Sequence, residues 1–262
     1  MQDNCKICKS PTSVLFNSLV LNKYDVKYLK CSKCGFIQTE KPYWLQESYS
    51  SAISNLDIGL ISRNINFSNK VDIIIKSFFD PSKKFLDYGG GYGMFVRLMR
   101  DKGFNFYRYD TYCDNLFAKR FDITDTKEIT NYELVTSFEV FEHLDDPISE
   151  IQKMLRHSDS ILFSTELLPE YTIKSADDWW YFIPETGQHI AFYTSKSLNI
   201  LADIFNTNAY SFSNSLHLFT PQKLSKLKLQ LLENKIYQCY IKAKYKQSSL
   251  LQKDYSIIRN NS

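Results

Sequence analysis

The stretch that most constrains the fold is residues 85–99, FLDYGGGYGMFVRLM, where an apolar run leads into three consecutive glycines and then a helical apolar pattern. Glycine lets the backbone approach a ligand closely, but ordering it costs more conformational entropy than ordering other residues. Gly89, Gly91 and Gly93 form a G-x-G-x-G loop between a predicted strand and a predicted helix. By itself this loop is a weak indication of function, because dinucleotide-binding dehydrogenases use a related one.

Strand and helix patterns alternate along the rest of the chain. Predicted strands lie at 83–88, 104–110, 119–123, 133–139, 160–167, 209–213 and 215–219. Predicted helices lie at 45–79, 94–103, 147–157 and 195–205, and Asp146 and Thr194 are the expected N-caps of the last two. Strands that alternate with helices predict an α/β fold with a parallel sheet, whose ligands bind at the carboxyl ends of the strands.

Three acidic residues lie near the carboxyl ends of the first three predicted strands. Asp87 stands two residues before the first glycine, where a carboxylate would face a pyrophosphate in a dinucleotide site but suits a ligand that carries an ammonium group. Asp110 ends the second strand, where a carboxylate can take both hydroxyls of a ribose. Asp122 ends the third strand, where it and the Ile123 backbone can meet an adenine edge. Singly, each acid is equally well a solvated loop charge, but their order and strand positions favour a nucleoside site.

In these segments the chain resembles the class I S-adenosylmethionine-dependent methyltransferases. The resemblance rests on LDYGGGYG (86–93), Asp110, FDI (121–123) and FEVFEHLDDP (138–147), and it covers about residues 65–220. It implies a Rossmann-like sheet that is mostly parallel with an antiparallel last strand. It also implies that the glycine loop packs on the methionine portion of the cofactor. By the same resemblance, Asp87 contacts the ammonium group of the cofactor and Asp110 its ribose. Asp122 and Ile123 contact the adenine, and Glu139 lies beside the cofactor.

Four of the six cysteines form two C-x-x-C pairs, Cys5 with Cys8 and Cys31 with Cys34, separated by 22 residues. Two such pairs supply four thiolates for a tetrahedral, structural Zn²⁺ and leave no ligand position open for catalysis. A redox pair or disulfides are the alternatives. The chain shows no signal-peptide pattern, so a cytoplasmic location without disulfides is expected, and two matched pairs fit a metal better than a redox role.

With this cysteine module, the chain is similar to bacterial methyltransferases that carry a small zinc domain and modify sugars or other cell-surface precursors. Residues 179–194, WWYFIPETGQHIAFYT, also resemble a segment of that group. Its sugar C-methyltransferases usually add a large C-terminal domain, whereas only about forty residues follow the predicted fold here. The resemblance therefore implies a simpler acceptor, with O-methylation of a capsule or surface-polysaccharide precursor (a sugar, nucleotide-linked or phosphoramidate-type group) as the leading expectation. Whether oxygen, nitrogen or carbon receives the methyl group stays open.

Two histidines are candidates for the acceptor side. His189 follows the fifth predicted strand in an aromatic-rich loop and is the better candidate for a base, although a histidine that donates a structural hydrogen bond fits the pattern equally well. His143 belongs to the segment that in this family more often supports the cofactor pocket. Aromatic residues are expected either to wall the acceptor pocket or to pack in the core: Trp179, Trp180, Tyr181, Phe192 and Tyr193. A lid over the cofactor is a further hypothesis, built from Tyr43, Trp44, Tyr49 and Arg63.

Charge divides the chain into three predicted segments: a zinc-binding module at 1–44 with a net charge of +4, a methyltransferase domain at 45–219 with −8, and a tail at 220–262 with +7. An acidic body argues against nucleic acid as a partner, because phosphate contacts supply most of that affinity. The basic module and tail keep a zinc-finger RNA methyltransferase as one alternative. A cofactor-binding module without catalysis is another. No apolar run is long enough for a membrane span.

The tail is predicted to start at Thr220-Pro221 as one amphipathic helix with leucines on one face and lysines elsewhere. The apolar positions are Leu224, Leu227, Leu231 and Ile236. Since this face needs burial and the body is acidic, we expect the helix to dock on protein, and the stretch after about Lys246 to be disordered. The same packing would also allow a homodimer.

Overall fold

The computed structural model describes residues 4–49, 58–126 and 131–260. The chain forms two compact units. Unit 1 consists of Met1–Ser54, Phe138–Lys153 and Leu162–Pro221, and unit 2 of Asn55–Ser137, Met154–Ile161 and Gln222–Ser262. No helix within the described ranges is both long and apolar enough to cross a membrane.

Ten strands form two sheets in the described part of the chain. They are β1 (Thr12–Val20), β2 (Tyr24–Cys31), β3 (Ile37–Thr39), β4 (Lys84–Tyr88), β5 (Asn105–Tyr109), β6 (Leu134–Ser137), β7 (Ile161–Ser164), β8 (Ala191–Phe192), β9 (Asn208–Ser211) and β10 (Leu216–Thr220). The smaller sheet has the order β1-β2-β3-β8 and the larger the order β5-β4-β6-β7-β10-β9. β4 is parallel to β5 and β6, whereas β9 and β10 are antiparallel. This mixed sheet with helices is consistent with the predicted Rossmann-like methyltransferase fold.

Eight α-helices accompany the strands in the described ranges. They are α1 (Leu45–Ser48), α2 (Leu60–Phe78), α3 (Met94–Asp101), α4 (Pro147–Met154), α5 (Ser195–Ile204), α6 (Lys226–Leu231), α7 (Lys235–Lys244) and α8 (Leu251–Asn260). Both predicted N-caps are confirmed, since the Thr194 hydroxyl accepts from the Ser197 amide at 3.0 Å and the Asp146 carboxylate from the Ser149 amide at 3.1 Å. The predicted helix at 45–79 corresponds to α1 and α2, and its residues 50–57 lie outside the described part.

The predicted third strand at 119–123 is wrong. The structure has only a single parallel bridge there, between Arg108 and Asp122, followed by a 3₁₀ turn at Ile123–Asp125. Arg120 takes a left-handed φ of 71°, which interrupts an extended strand. Asp122 and Asp125 then cap the 3₁₀ turn reciprocally, each side chain accepting from the other residue's backbone amide. Local side-chain capping therefore outcompetes strand pairing at this position.

The core of unit 1 is built from aromatic side chains that lie far apart in the sequence. β8 extends the small cysteine-bearing sheet by pairing antiparallel with β3. Phe16, Tyr28, Phe182 and Phe192 pack together in this core, and Trp44 donates its indole N–H to the Gly187 carbonyl at 2.9 Å. Trp44 is therefore a core residue, so its predicted place in a lid is wrong.

The aromatic residues that were predicted to wall the acceptor pocket divide between the core and the surface. Trp179, Tyr181, Phe192 and Tyr193 are buried, whereas 69% of Trp180 is exposed. Of the remaining predicted lid residues, Tyr43 lies on the surface of unit 1, where its ring packs edge-on against Tyr24. Packing in the core thus accounts for most of these aromatic positions.

The structure of the tail differs from the sequence-based prediction in two respects. Thr220 belongs to β10, and the first tail helix, α6, begins only at Lys226 with Ser225 as its N-cap, so the predicted single helix is three short ones. The expected apolar face is not formed either, because Leu227 is 65% and Ile236 81% exposed. The tail nevertheless packs on other protein segments as part of unit 2, since the Tyr237 hydroxyl contacts Ser77 at 3.1 Å and Ile241 is buried.

The expected disorder after Lys246 is also wrong. α8 occupies Leu251–Asn260, and its Asp254 is buried against Arg100 of α3. The two side chains form a bidentate pair at 2.7 and 2.8 Å, and Arg97 Nη1 lies 2.9 Å from the same carboxylate. One buried ion pair, which sequence periodicity does not reveal, anchors the end of the chain.

Candidate functional site

The glycine loop after β4 is the centre of the candidate site in unit 2. The amides of Gly89 and Gly90 donate to the Tyr109 carbonyl at 2.8 and 3.2 Å, which ties the loop to the end of β5. A Cβ at Gly91 would meet nothing within 4 Å, whereas a Cβ at Gly93 would lie 2.9 Å from Asn115 Oδ1. Both glycines have left-handed φ values, 51° and 84°. Gly91 therefore leaves open space beside the backbone, while Gly93 allows close packing at the start of α3.

Asp87 ends up buried beneath this loop. Burial raises the pKa of its carboxyl to about 7, with a further increase from Asp110, while a hydrogen bond from Thr136 and the charge of Arg108 act in the opposite direction. The Thr136 hydroxyl donates to Asp87 Oδ1 at 2.7 Å from the paired position on β6. Sequence reasoning missed Thr136, because its place next to Asp87 depends on the parallel register of two strands about fifty residues apart.

Asp110 fixes the glycine loop from the end of β5. Its Oδ2 accepts from the Gly91 amide at 2.9 Å, and its Oδ1 accepts from the amides of Tyr112 and Cys113, both at 2.8 Å. An ionised carboxylate offers about four acceptor sites, so one remains in this arrangement. The structure thus places Asp110 beside the glycine loop, where it organises the loop backbone.

Asp122 is held by protein donors. Arg108 Nε donates to its Oδ1 at 2.7 Å and Asn115 Nδ2 to its Oδ2 at 3.0 Å. The buried Arg108 guanidinium also donates to the carbonyls of Gly91 and Cys113, so it joins the loop to the segment after β5. Arg108 was missed at the sequence level. Its position on β5, two residues before Asp110 and therefore on the same face of the strand, is the signal that could have identified it.

The four predicted zinc ligands come together in unit 1. Sγ–Sγ distances are 3.6 Å for Cys5–Cys34, 3.4 Å for Cys8–Cys31 and 3.6 Å for Cys8–Cys34. Four sulfurs about 2.3 Å from one zinc ion would lie about 3.8 Å apart, so the cluster fits a tetrahedral zinc site. The amides of Lys33 and Cys34 both point to the Cys31 sulfur at 3.4 Å, which suits a thiolate acceptor. Interaction with the Cys34 thiol lowers the pKa of Cys5 to about 5.

Glu139 follows β6 in a left-handed conformation, with a φ of 55°. Its amide donates to the Ser164 hydroxyl at 2.7 Å, and that hydroxyl donates back to Glu139 Oε1 at 2.8 Å. Ser164 is the last residue of β7, so this exchange holds Glu139 in a conformation that is uncommon for a residue other than glycine. Burial raises the pKa of nearby Glu166, and the negative charge of Glu139 raises it further.

His143 and His189 lie together in unit 1. Their rings are 5.0 Å apart and nearly perpendicular. His143 Nδ1 contacts the Gln188 carbonyl at 2.9 Å, and His189 Nδ1 the Tyr181 carbonyl at 2.7 Å. Burial lowers the pKa of His143 to about 4, so this imidazole is neutral at physiological pH.

Glu142 joins the two histidines and was missed by sequence reasoning. Its carboxylate is fully buried, and the Ile190 amide donates to its backbone carbonyl at 2.8 Å. Burial, followed by the charges of Glu142 and Glu139, raises the pKa of Tyr181 well above its ordinary value, so both carboxylates act on the same buried phenol. The adjacent Glu142-His143 pair was visible in the sequence, but only the fold shows that His189 lies within reach of it.

A family model described as a methyltransferase domain matches residues 64–209, more than half of the chain. No curated protein matches the chain. Among solved structures, similarity extends to CalO1, a methyltransferase in calicheamicin biosynthesis, in its SAH-bound form, with 12% identity, a TM-score of 0.43, and coverage of 68% of this chain and 61% of that one.

Two further structures are similar at the same level. An O-methyltransferase family 2 protein from Planctomyces limnophilus, in complex with apigenin, is 12% identical with a TM-score of 0.47 and coverage of 68% and 65% of the two chains. A possible histamine N-methyltransferase from Thermotoga maritima is 10% identical with a TM-score of 0.44 and coverage of 63% and 92%. The chain thus spans less than two thirds of the length of the first two proteins.

Proposed function

Because the chain belongs to the family defined by this methyltransferase domain, we propose that it transfers a methyl group from S-adenosylmethionine to a small-molecule acceptor. The proposed reaction is O-methylation of a sugar, nucleotide-linked or phosphoramidate-type precursor of bacterial capsule or surface polysaccharide. In this proposal, residues 1–44 hold a structural zinc ion, residues 45–219 carry out the transfer, and residues 220–262 form a docked basic tail.

The glycine loop with its two carboxylates is the observation that carries this proposal. Gly91 leaves open space beside the backbone, Asp110 fixes the loop through the Gly91 amide, and Asp87 lies buried beneath it. S-adenosylmethionine carries an ammonium group, which suits the carboxylate of Asp87, and a ribose, which suits the remaining acceptor capacity of Asp110. Both groups would be recognised without any phosphate.

The adenine end of the proposed site relies on the backbone near Ile123. Both carboxylate oxygens of Asp122 accept from Arg108 and Asn115, so this side chain shapes the segment before Ile123. We assign Asp122 to orienting that backbone and Ile123 to the adenine edge. Glu139, whose conformation is held by Ser164, is also proposed as a cofactor-binding residue.

Methyl transfer from a sulfonium donor is an in-line displacement, so alignment of the acceptor dominates the rate. Positioning of this kind contributes about 7–11 kcal/mol in well-oriented reactions. We assign His143 and His189 to the acceptor side. Each ring is oriented by its Nδ1 contact with a backbone carbonyl, which leaves Nε2 as the acceptor nitrogen of the neutral ring.

The acidity of residues 45–219, which carry a net charge of −8, supports a small-molecule acceptor over nucleic acid. A turnover assay can test this choice by measuring S-adenosylhomocysteine release with sugar nucleotides, sugar phosphoramidates and bulk tRNA as acceptors. We expect release with a sugar-derived acceptor. Release with tRNA alone would instead establish the RNA methyltransferase alternative.

Cofactor binding is tested separately by calorimetry with S-adenosylhomocysteine. Asp110→Ala should weaken binding at least about tenfold, because it removes both the ribose partner and the acceptor of the Gly91 amide. Asp114→Ala, an exposed acid in the same segment, is the matched control and should bind like the wild type. An Asp110→Ala variant with unchanged affinity would overturn the cofactor assignment.

A further inference from the structure

We propose that unit 1 contains a metal site, separate from the four cysteines, in which Glu142, His143 and His189 bind a divalent cation. Their ligand atoms, one carboxylate oxygen and two imidazole nitrogens, all lie within 4.8 Å of one another. Ligands about 2.0–2.2 Å from one ion lie about 3–4 Å apart. Small side-chain adjustments are therefore enough to close the three ligands around a cation.

The hydrogen bonds of the two histidines define which nitrogen faces the ion. A backbone carbonyl can only accept, so the contacts to Gln188 and Tyr181 place a hydrogen on Nδ1 of both rings. In the neutral rings the lone pair then resides on Nε2. Histidines that bind metals usually donate their other ring N–H to a carbonyl or carboxylate in this way, which fixes the tautomer and the ring orientation.

The backbone holds the three ligands in place. Glu142 and His143 are consecutive residues of a 3₁₀ turn at Phe141–His143, and His189 lies in the segment that pairs with this turn. Two hydrogen bonds join them, from the Ile190 amide to the Glu142 carbonyl at 2.8 Å and from His143 Nδ1 to the Gln188 carbonyl. Because the ligands arise from two mutually bonded segments, the site is organised before a cation binds.

Burial and charge favour a cation here. Glu142 is fully buried, and its charge acts together with that of Glu139 on the buried Tyr181 phenol. An ionised carboxylate away from water is costly unless it is paired or coordinates a metal. A divalent cation would offset the negative charge that these two carboxylates bring to this place.

The donor set indicates the kind of metal. Two imidazoles with one carboxylate suit Mn²⁺, Fe²⁺, Co²⁺, Ni²⁺ or Zn²⁺, whereas Ca²⁺ and Mg²⁺ prefer oxygen ligands only. Three protein ligands leave coordination positions open, unlike the closed four-thiolate cluster. His189 then serves as a ligand in place of the base expected from the sequence. Given the proposed methyl transfer, an acceptor hydroxyl bound in an open position would be acidified by the cation.

The test is metal binding by the full-length protein, independent of turnover. Mn²⁺ is the probe because it prefers nitrogen and oxygen ligands to the thiolates of the cysteine cluster. Its binding is followed by loss of the free-ion electron paramagnetic resonance signal, with Co²⁺ calorimetry as a second readout. We expect one Mn²⁺ per chain in the wild type, and at least tenfold weaker binding in Glu142→Gln and His143→Ala. His157→Ala, a histidine of unit 2, should bind like the wild type.

Measurements of folding and of cofactor binding distinguish the possible outcomes of this metal-binding test. Glu142→Gln is nearly isosteric, so it tests ligation even where His143→Ala disturbs the core, and thermal melting verifies that the variant is folded. S-adenosylhomocysteine calorimetry on the same samples distinguishes loss of the metal from failure of the proposed function. A wild type that binds neither Mn²⁺ nor Co²⁺, or a folded Glu142→Gln variant that binds Mn²⁺ as tightly as the wild type, would overturn the proposal and leave the cluster as a hydrogen-bonded network.

Discussion

Asp87 acquires its chemistry from its position in the sheet. On a surface loop its carboxyl would ionise near the ordinary value, but under the glycine loop burial raises the pKa to about 7. Thr136 stabilises the ionised form from the neighbouring strand. The residue is therefore poised between charge states near neutral pH, where an arriving cationic group would favour the carboxylate.

The pH dependence of cofactor binding follows from this position. An ammonium group binds the ionised Asp87, so S-adenosylhomocysteine affinity should fall by about tenfold between pH 8 and pH 6 as a carboxyl with a pKa of about 7 takes up its proton. Calorimetry across this range checks the slope. Asp87→Asn should bind weakly with a flatter profile, whereas an equally steep profile in this variant would assign the titration to another group.

The same residue affects the stability of the unliganded protein in the opposite direction. Its folded-state pKa lies above the unfolded value of 3.8, so the native state holds the proton more tightly. Its contribution to stability is therefore complete below about pH 4 and is lost as the pH rises through about 7.

At the scale of elements, the cysteine cluster is joined to the start of α5. The Thr194 hydroxyl, which caps α5, also donates to the Cys34 carbonyl at 2.7 Å. A Cβ at Gly35 would lie 3.2 Å from the Thr194 methyl group, so the second cysteine pair and the cap are in close contact. β8, just before this cap, completes the small sheet. An ordered cysteine cluster therefore also stabilises elements that lie far from it in the sequence.

Loss of zinc should therefore destabilise unit 1 as a whole. We expect one zinc ion per chain by elemental analysis, and a lower melting temperature after chelation or in Cys8→Ser, because metal binding contributes to folding. Cys239→Ser changes an exposed cysteine outside the cluster and should retain both zinc and stability. Protein that is purified without chelator and contains no zinc would refute the assignment.

At the scale of the whole molecule, the end of the chain is part of the folded protein. The Arg100 guanidinium pairs with Asp254, donates to the Phe106 carbonyl at 2.9 Å, and lies 3.6 Å from the centre of the Phe121 ring. Ser248 packs so closely on Gly103 that a Cβ there would lie 2.6 Å from the Ser248 carbonyl oxygen. The tail therefore covers the end of α3 and the start of β5 within unit 2.

Removing the charge of Asp254 should lower the free energy of unfolding of unit 2. Asp254→Asn leaves the buried Arg100 without its ionic partner, and breaking such a pair from one side costs about 3–5 kcal/mol. Gln252→Ala alters an exposed position of α8 and should change the free energy of unfolding by less than about 0.5 kcal/mol. Urea denaturation measures both. Equal stability of the two variants would show that the tail does not contribute to the fold.

The sequence by itself determined the features that depend on neighbouring residues. The strand, glycine loop and helix at residues 84–101, the caps at Asp146 and Thr194, and the two cysteine pairs could all be predicted, because periodicity, capping and turn chemistry act within a few residues. The order of Asp87, Asp110 and the later motifs was sufficient to indicate a methyltransferase. Where local signals conflicted, as at Arg120 and Asp122, the strand prediction failed.

Tertiary structure decided the partners of buried polar groups. Thr136 beside Asp87, Arg108 beside Asp122 and Arg100 beside Asp254 each depend on strand register or helix docking between distant segments, which hydrophobic pattern does not encode. The leucine spacing predicted that the tail docks through an apolar face, whereas in the folded chain the buried Asp254 carboxylate pairs with Arg100 and anchors the last helix. Buried polar and charged groups are costly without partners, and only the folded chain, by bringing distant segments together, determines which partner each one finds.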